Sequence, residues 1–356
     1  MKNNNRIIEY VIIFIIFCFI LNQMDINNCQ QIILIITKFL SGLCIPLLLA
    51  ISGYTLSLKI NDNTGELTRK NFWIFIKKYF NLYLILSLIY FFIKLLTTND
   101  FTMTSIMENI WQILIGNGQC FTWYLSTIVF SCILLIHIKT KQQKNILFIL
   151  FTILFLIGLS FNTYNFIIIN TRLNSIYTFL VEKFGNNQNF LFSGCICFLI
   201  GFYNKEIYKI KKVENNAIYI FTLGIILSIA EIIFLTKNNN FSSNILLSCP
   251  ILLMSIINFY NSKAKIKEIN YNLGIYALYS FPLVFGFINL LNLNISNKII
   301  ILLNIALTIL IAIFYNIINK KFKKRKYELI AYLLITCFII FIMVFGFNNI
   351  IWADEA

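Results

Sequence analysis

The sequence predicts an all-α protein, a polytopic membrane helix bundle with about 11 transmembrane helices. Three observations predict it. The 356-residue chain is 59% hydrophobic and only 12% charged, with a mean hydropathy of +0.80, whereas soluble chains are about 45–50% apolar and about 25% charged. So few polar residues cannot cover a water-facing surface of this size, which excludes a soluble enzyme, a disordered chain and a secreted disulfide scaffold. The apolar residues also gather into runs near the about 20 residues that a helical crossing needs. Finally, the basic excess, Lys+Arg 29 against Asp+Glu 14, recurs as short clusters between those runs. Spread in this way it reports topology and gives no footprint for a nucleic-acid partner.

The first run, 7–21, ends at Asn22-Gln23. It lacks a small-residue cleavage site, so it reads as a retained helix rather than a signal peptide. The second, 32–58, is long and holds Pro46, so a tilt or break is expected in it. The third, 80–96, follows Lys77-Lys78, and the fourth, 122–138, opens on Thr122-Trp123 and closes against Lys139. The fifth is 146–161; the sixth, 190–203, is short; the seventh is 217–235. The eighth, 245–260, contains Pro250 and the ninth, 273–291, contains Pro282. Prolines inside spans predict kinks, which membranes tolerate beside a polar cavity. The tenth and eleventh, 299–318 and 329–347, flank the basic stretch 320–326. Two longer segments, 97–121 and 162–189, mix apolar residues (Ile106, Ile110, Trp111, Ile113, Leu114; Phe166 to Ile169) with polar ones. They read as interfacial helices or lids, or as ordinary structured loops.

The charges orient this map. With the N-terminus in the cytoplasm, inner segments carry 23 of the 29 basic residues and outer ones only Arg172, Lys183, Lys237 and Lys298; Lys38 and Lys94 lie within runs. A Lys/Arg excess marks cytoplasmic loops. The expected location is therefore a plasma membrane, crossed many times, with the N-terminus cytoplasmic and the C-terminus outside. The lipid bilayer is the first expected partner.

Ionisable groups inside the runs are the functional candidates, because a charge at mid-bilayer costs at least ~2.5–3.5 kcal/mol. Lys38 and Lys94 can reach the outer interface along their stems. Glu9 stands three residues after Arg6, a spacing that predicts a local pair on a helix. Glu231 is the best interior candidate, with no partner legible in the sequence. Seven of the nine cysteines lie in apolar runs and act there as small hydrophobes. Cys29 and Cys120 both fall outside and could pair in an oxidising compartment. The single histidine, His137, reads as an interface residue beside Lys139, and no metal site is expected.

The ordered set of short motifs resembles the membrane acyltransferase 3 family. The set comprises Ile45-Pro46-Leu47-Leu48-Leu49-Ala50-Ile51-Ser52-Gly53-Tyr54, then Phe75-Ile76-Lys77-Lys78, Thr122-Trp123-Tyr124-Leu125, Ser193-Gly194 with Phe198-Leu199-Ile200-Gly201, and Leu273-Gly274-Ile275-Tyr276-Ala277-Leu278-Tyr279. The resemblance implies a ten-helix core over 1–318, followed at 319–356 by a basic loop, one extra helix and a short outer tail. It also implies transfer of an acyl group, commonly acetyl, from cytoplasmic acyl-CoA to a hydroxyl of a cell-envelope glycan. On that reading Arg6, Lys77 and Lys78 attract the donor's phosphates, and Ser52, Tyr54, Trp123 and Tyr124 line the substrate path. The family's histidine positions hold Phe17 and Tyr279 here, so the usual base has no carrier. Glu9 and Tyr279 are the remaining catalytic candidates. The alternative expectation is a catalytically silent relative that exports or flips an envelope saccharide or another small substrate.

Overall fold

The computed structural model describes residues 31–61, 65–98, 102–114, 122–138, 140–161, 163–164, 166, 171, 174–175, 178–179, 190–208, 217–237, 246–263, 307–308 and 310–311. Among these, every regular element is helical: α1 (Gln31–Asn61), α2 (Gly65–Thr98), α3 (Met103–Leu114), α4 (Thr122–His137), α5 (Lys141–Phe161), a π-helical turn (Phe190–Gly194) leading into α6 (Cys195–Tyr208), α7 (Ala217–Lys237) and α8 (Cys249–Lys263). Two of them, α2 over Asn71–Phe92 and α5 over Gln142–Ser160, are long and apolar enough to cross a membrane. The expected spans 7–21, 273–291 and 329–347 lie outside the described residues, as do nearly all of 299–318 and the residues Arg6, Glu9, Cys29, Cys120 and Tyr279. The chain divides into two compact units, 1–87 with 103–269 and 88–102 with 270–356. The packing below belongs to the first.

Local chemistry explains where the helices start. At α5, Thr140 and Gln143 form a reciprocal capping box: each side chain accepts the other's backbone N–H at 3.2 Å. α2 begins fifteen residues before the expected span at 80. The reason is a stripe at helical spacing, Phe72, Ile76, Tyr79, Tyr83 and Leu86, all buried; it threads the basic stretch and gives that stretch a core to pack on. α1 runs unbroken through Pro46, so no break occurs in that span. A proline removes one backbone hydrogen bond, and the turns on either side, buried from Leu43 to Ile51, hold the helix together.

Pro250 corrects another expectation. It does not kink a span, because α8 starts only at Cys249. Ser248 is the N-cap; its carbonyl accepts the Leu252 N–H at 3.1 Å. Pro250 therefore stands in the first turn, where its missing N–H has no helical acceptor to lose.

Small residues set the helix crossings. A Cβ on Gly53 would overlap the Phe198 carbonyl, and one on Gly201 would overlap the Ala50 carbonyl, so α1 and α6 meet backbone to backbone, as close helix pairs in apolar surroundings do. A Cβ on Gly194 would overlap the Thr127 side chain. One turn further along α4, the Ser131 hydroxyl meets Cys195. α7 and α8 run antiparallel: Gly224 packs on Leu252, Ser228 on Ser248, and Glu231 on Leu247. The start of α5 reaches the end of α6, where the Lys144 ammonium sits 5.5 Å from the Tyr203 ring. The core centres on Tyr124, Phe198, Leu48, Leu49, Leu199 and Ile200, each under 2% exposed.

Candidate functional site

The structure joins two of the sequence candidates directly. The Ser52 Oγ on α1 and the Tyr124 phenol on α4 lie 3.0 Å apart, and both residues are fully buried. Ser52 also donates to the Leu48 carbonyl at 2.8 Å, the usual back-bond of a helical serine. A hydroxyl has one proton, so with Ser52 bonded to Leu48, Tyr124 is the donor of the pair. The chain Tyr124, Ser52, Leu48 ends on a backbone carbonyl. It can orient a polar group but has no member that accepts a proton for good, so it is not a general base.

The pair heads a polar stripe down α4. Tyr124, Thr127 and Ser131 share one face by helical spacing. Thr127 faces Gly194, and the Ser131 hydroxyl donates to the Cys195 thiol at 3.3 Å. The buried Trp123 serves through its backbone, its carbonyl accepting the Ser126 and Thr127 hydroxyls at 2.8 Å each. Tyr54 is buried as well, and its carbonyl accepts the Ser57 hydroxyl at 2.8 Å. Between Ser52 and Tyr54, Gly53 admits the α6 backbone. Lys77 and Lys78 stand apart from this buried pair, on the exposed face of α2, with the Lys78 ammonium 5.4 Å from the Tyr79 ring. His137 is exposed at the end of α4, its Nδ1 2.9 Å from the Ile133 carbonyl.

Glu231, whose partner could not be read from the sequence, has several. Its Oε1 accepts the Tyr164 phenol and the Leu247 N–H, and its Oε2 accepts the Ser248 N–H at 3.0 Å and the Ser248 hydroxyl at 2.8 Å. The Ser228 hydroxyl donates to Ser248 at 2.7 Å. The carboxylate thus caps α8, where free backbone N–H groups and the helix dipole favour a negative charge. Burial, and then the hydrogen-bonded Glu231 carboxylate beside it, push the Tyr164 phenol above its ordinary value of 10.0. Sequence reasoning missed Tyr164, Ser228 and Ser248. A signal existed in Ser248-Cys249-Pro250: an N-cap residue followed within two positions by proline marks a helix start. Asn204 on α6 was also missed; its side chain is fully buried and neither amide atom has a partner among the described residues.

No protein-family model, curated protein or solved structure matches this chain.

Proposed function

We propose that this chain is a multi-pass membrane O-acyltransferase, moving an acyl group from cytoplasmic acyl-CoA to a hydroxyl of a cell-envelope glycan. Its embedding is supported by the outward faces of α2, α5 and α7. Trp73, Phe80 and Leu84 on α2, Ile146, Ile149, Leu150 and Ile153 on α5, and Leu223, Ile226 and Phe234 on α7 are all exposed. Apolar belts of that extent are expected where lipid is the solvent. The activity is carried by one observation, the buried Ser52–Tyr124 hydrogen bond. It ties together two separate segments of the motif set, while Gly53 and Gly201 bring a third against the first.

In this reading the exposed Lys77 and Lys78 meet the donor's phosphates at the cytoplasmic side as point charges. Tyr124 and Ser52 orient the acyl carbonyl inside the bundle. The acceptor hydroxyl attacks that carbonyl, the carbon–sulfur bond breaks, and the thiol leaves on CoA. The acceptor's proton requires a base other than the Tyr124–Ser52 pair, and Glu9 and Tyr279 are the candidates. A second reading, a silent relative that exports or flips an envelope saccharide, is favoured by Phe17 and Tyr279 standing at the family's histidine positions.

The test is a gene deletion followed by assay of ester-linked acyl groups on the envelope glycan, complemented with wild type, Tyr124→Phe and Lys78→Ala. The transferase reading expects acyl content to fall on deletion, to return with wild type and to return only in part with either variant. Unchanged acyl content together with reduced surface polymer would sink it in favour of the exporter.

A further inference from the structure

We propose that α3 is a membrane-dipping helix whose exposed apolar stripe, Met103, Met107, Ile110, Trp111 and Leu114, is seated among the acyl chains of the bilayer; this rests on the membrane reading above. α3 has 12 residues, about 18 Å of helix, too short to cross a core of about 30 Å. At about 100° per residue its residues sort into three faces. Asn109 is buried and Ser105, Ile106 and Ile113 are half-buried, which makes that face the protein side. The apolar stripe is open, with Met103 72%, Met107 61% and Leu114 74% exposed. Thr104, Glu108 and Gln112 are exposed along the third face.

Depth decides what covers the stripe. The Tyr83 phenol on α2 donates to the Ile113 carbonyl in the last turn of α3. Tyr83 stands five residues beyond Lys78, at the cytoplasmic side, and nine before Phe92, the other end of the apolar window of α2. Those separations are about 7 and about 14 Å along the helix, and a tyrosine side chain, about 6 Å long, is shorter than either. The end of α3 therefore lies within the apolar length of α2, below headgroup level. The chain enters α3 after α2 ends at Thr98, on the side that the charge count makes outer. At that depth, an exposed face of methionine, tryptophan and leucine meets hydrocarbon. The neighbouring polar face must meet water or protein, because hydrocarbon leaves polar groups unsatisfied. α3 thus separates lipid on one side from a wet, outward-facing side along Glu108.

The experiment uses the full chain reconstituted in phosphatidylglycerol–phosphatidylcholine vesicles whose acyl chains carry bromine either near the headgroup or near the chain ends. Bromine quenches tryptophan on contact. The Trp111 signal is isolated by difference from Trp111→Phe, and that of Trp73, exposed on α2, by difference from Trp73→Phe. Trp111 emission should be lost more with deep than with shallow bromine. A membrane-impermeant maleimide should also label Glu108→Cys while leaving Met107→Cys largely unmodified. Stronger quenching of Trp111 by shallow bromine would make α3 a surface helix and overturn the proposal. Quenching of Trp73 without Trp111 would mean that protein or water covers the stripe, which overturns the proposal but leaves the membrane reading standing. Quenching of neither would remove both.

Discussion

Asn204 is the residue at which elementary accounting and the fold disagree. A fully buried amide without partners among the described residues leaves both donor and acceptor desolvated, which costs about 1–3 kcal/mol. Asn204→Leu keeps the volume and removes the unsatisfied atoms. It should leave the detergent-solubilised protein as stable as wild type or more so, measured by thermal unfolding. A clear loss of stability would mean that the amide is paired in the membrane. A stable variant with lost acyl transfer would mark Asn204 as a functional residue. Tyr164 yields a pH-dependent prediction. Its phenol titrates higher folded than unfolded, so its hydrogen bond to Glu231 contributes fully below pH 10.0, the unfolded value, and is lost as pH rises above it, when the unfolded state releases the proton first. The stability gap between wild type and Tyr164→Phe should therefore be constant from neutral pH up to that value and narrow beyond it. A gap that widens with alkalinity would contradict the assignment.

Helices in this chain are positioned by their smallest residues and their caps more than by their large apolar ones. Gly201→Val pushes a side chain into the Ala50 carbonyl. Backbone cannot yield as a side chain does, so the expected loss is at or above the ~1–3 kcal/mol of ordinary overpacking. At α8, the first-turn position of Pro250 makes Pro250→Ala nearly neutral. Ser248→Ala removes the hydroxyl that bonds Glu231 and Ser228, for about 1–3 kcal/mol. The two substitutions are best compared by thermal unfolding in one detergent. If the proline variant were the more damaging, Pro250 would be shaping a helix interior after all. Helix positions were legible in the sequence wherever an apolar run had clean ends, as at α4, read as 122–138 and observed as Thr122–His137. They were misplaced where charge hid a buried stripe, as in α2, and where an apolar flank disguised a cap, as in α8.

For the molecule as a whole, the charge count predicts that successive helices cross in alternate directions. The absolute orientation is tested by labelling. Lys326→Cys should be reached from the cytoplasmic side only and Asn348→Cys from outside only, scored against the parent chain with a membrane-impermeant maleimide. Equal labelling of both from outside would refute the eleven-span map.

The amino-acid order alone determined the helical class, the approximate run boundaries and the expectation of a bilayer. Each follows from composition and spacing along the chain, which do not depend on which helices become neighbours. It also singled out Glu231, since an ionisable group stands out against an apolar background, and, through the motif resemblance, Ser52 and Tyr124. Only the tertiary structure decided what those groups touch. Ser52 and Tyr124 are 72 residues apart, and Glu231 is met by Tyr164 from 67 residues earlier. A hydrogen bond depends on angstrom-scale geometry between helices, and that geometry is set by backbone approaches such as Gly53 on Phe198, which no one-dimensional pattern encodes.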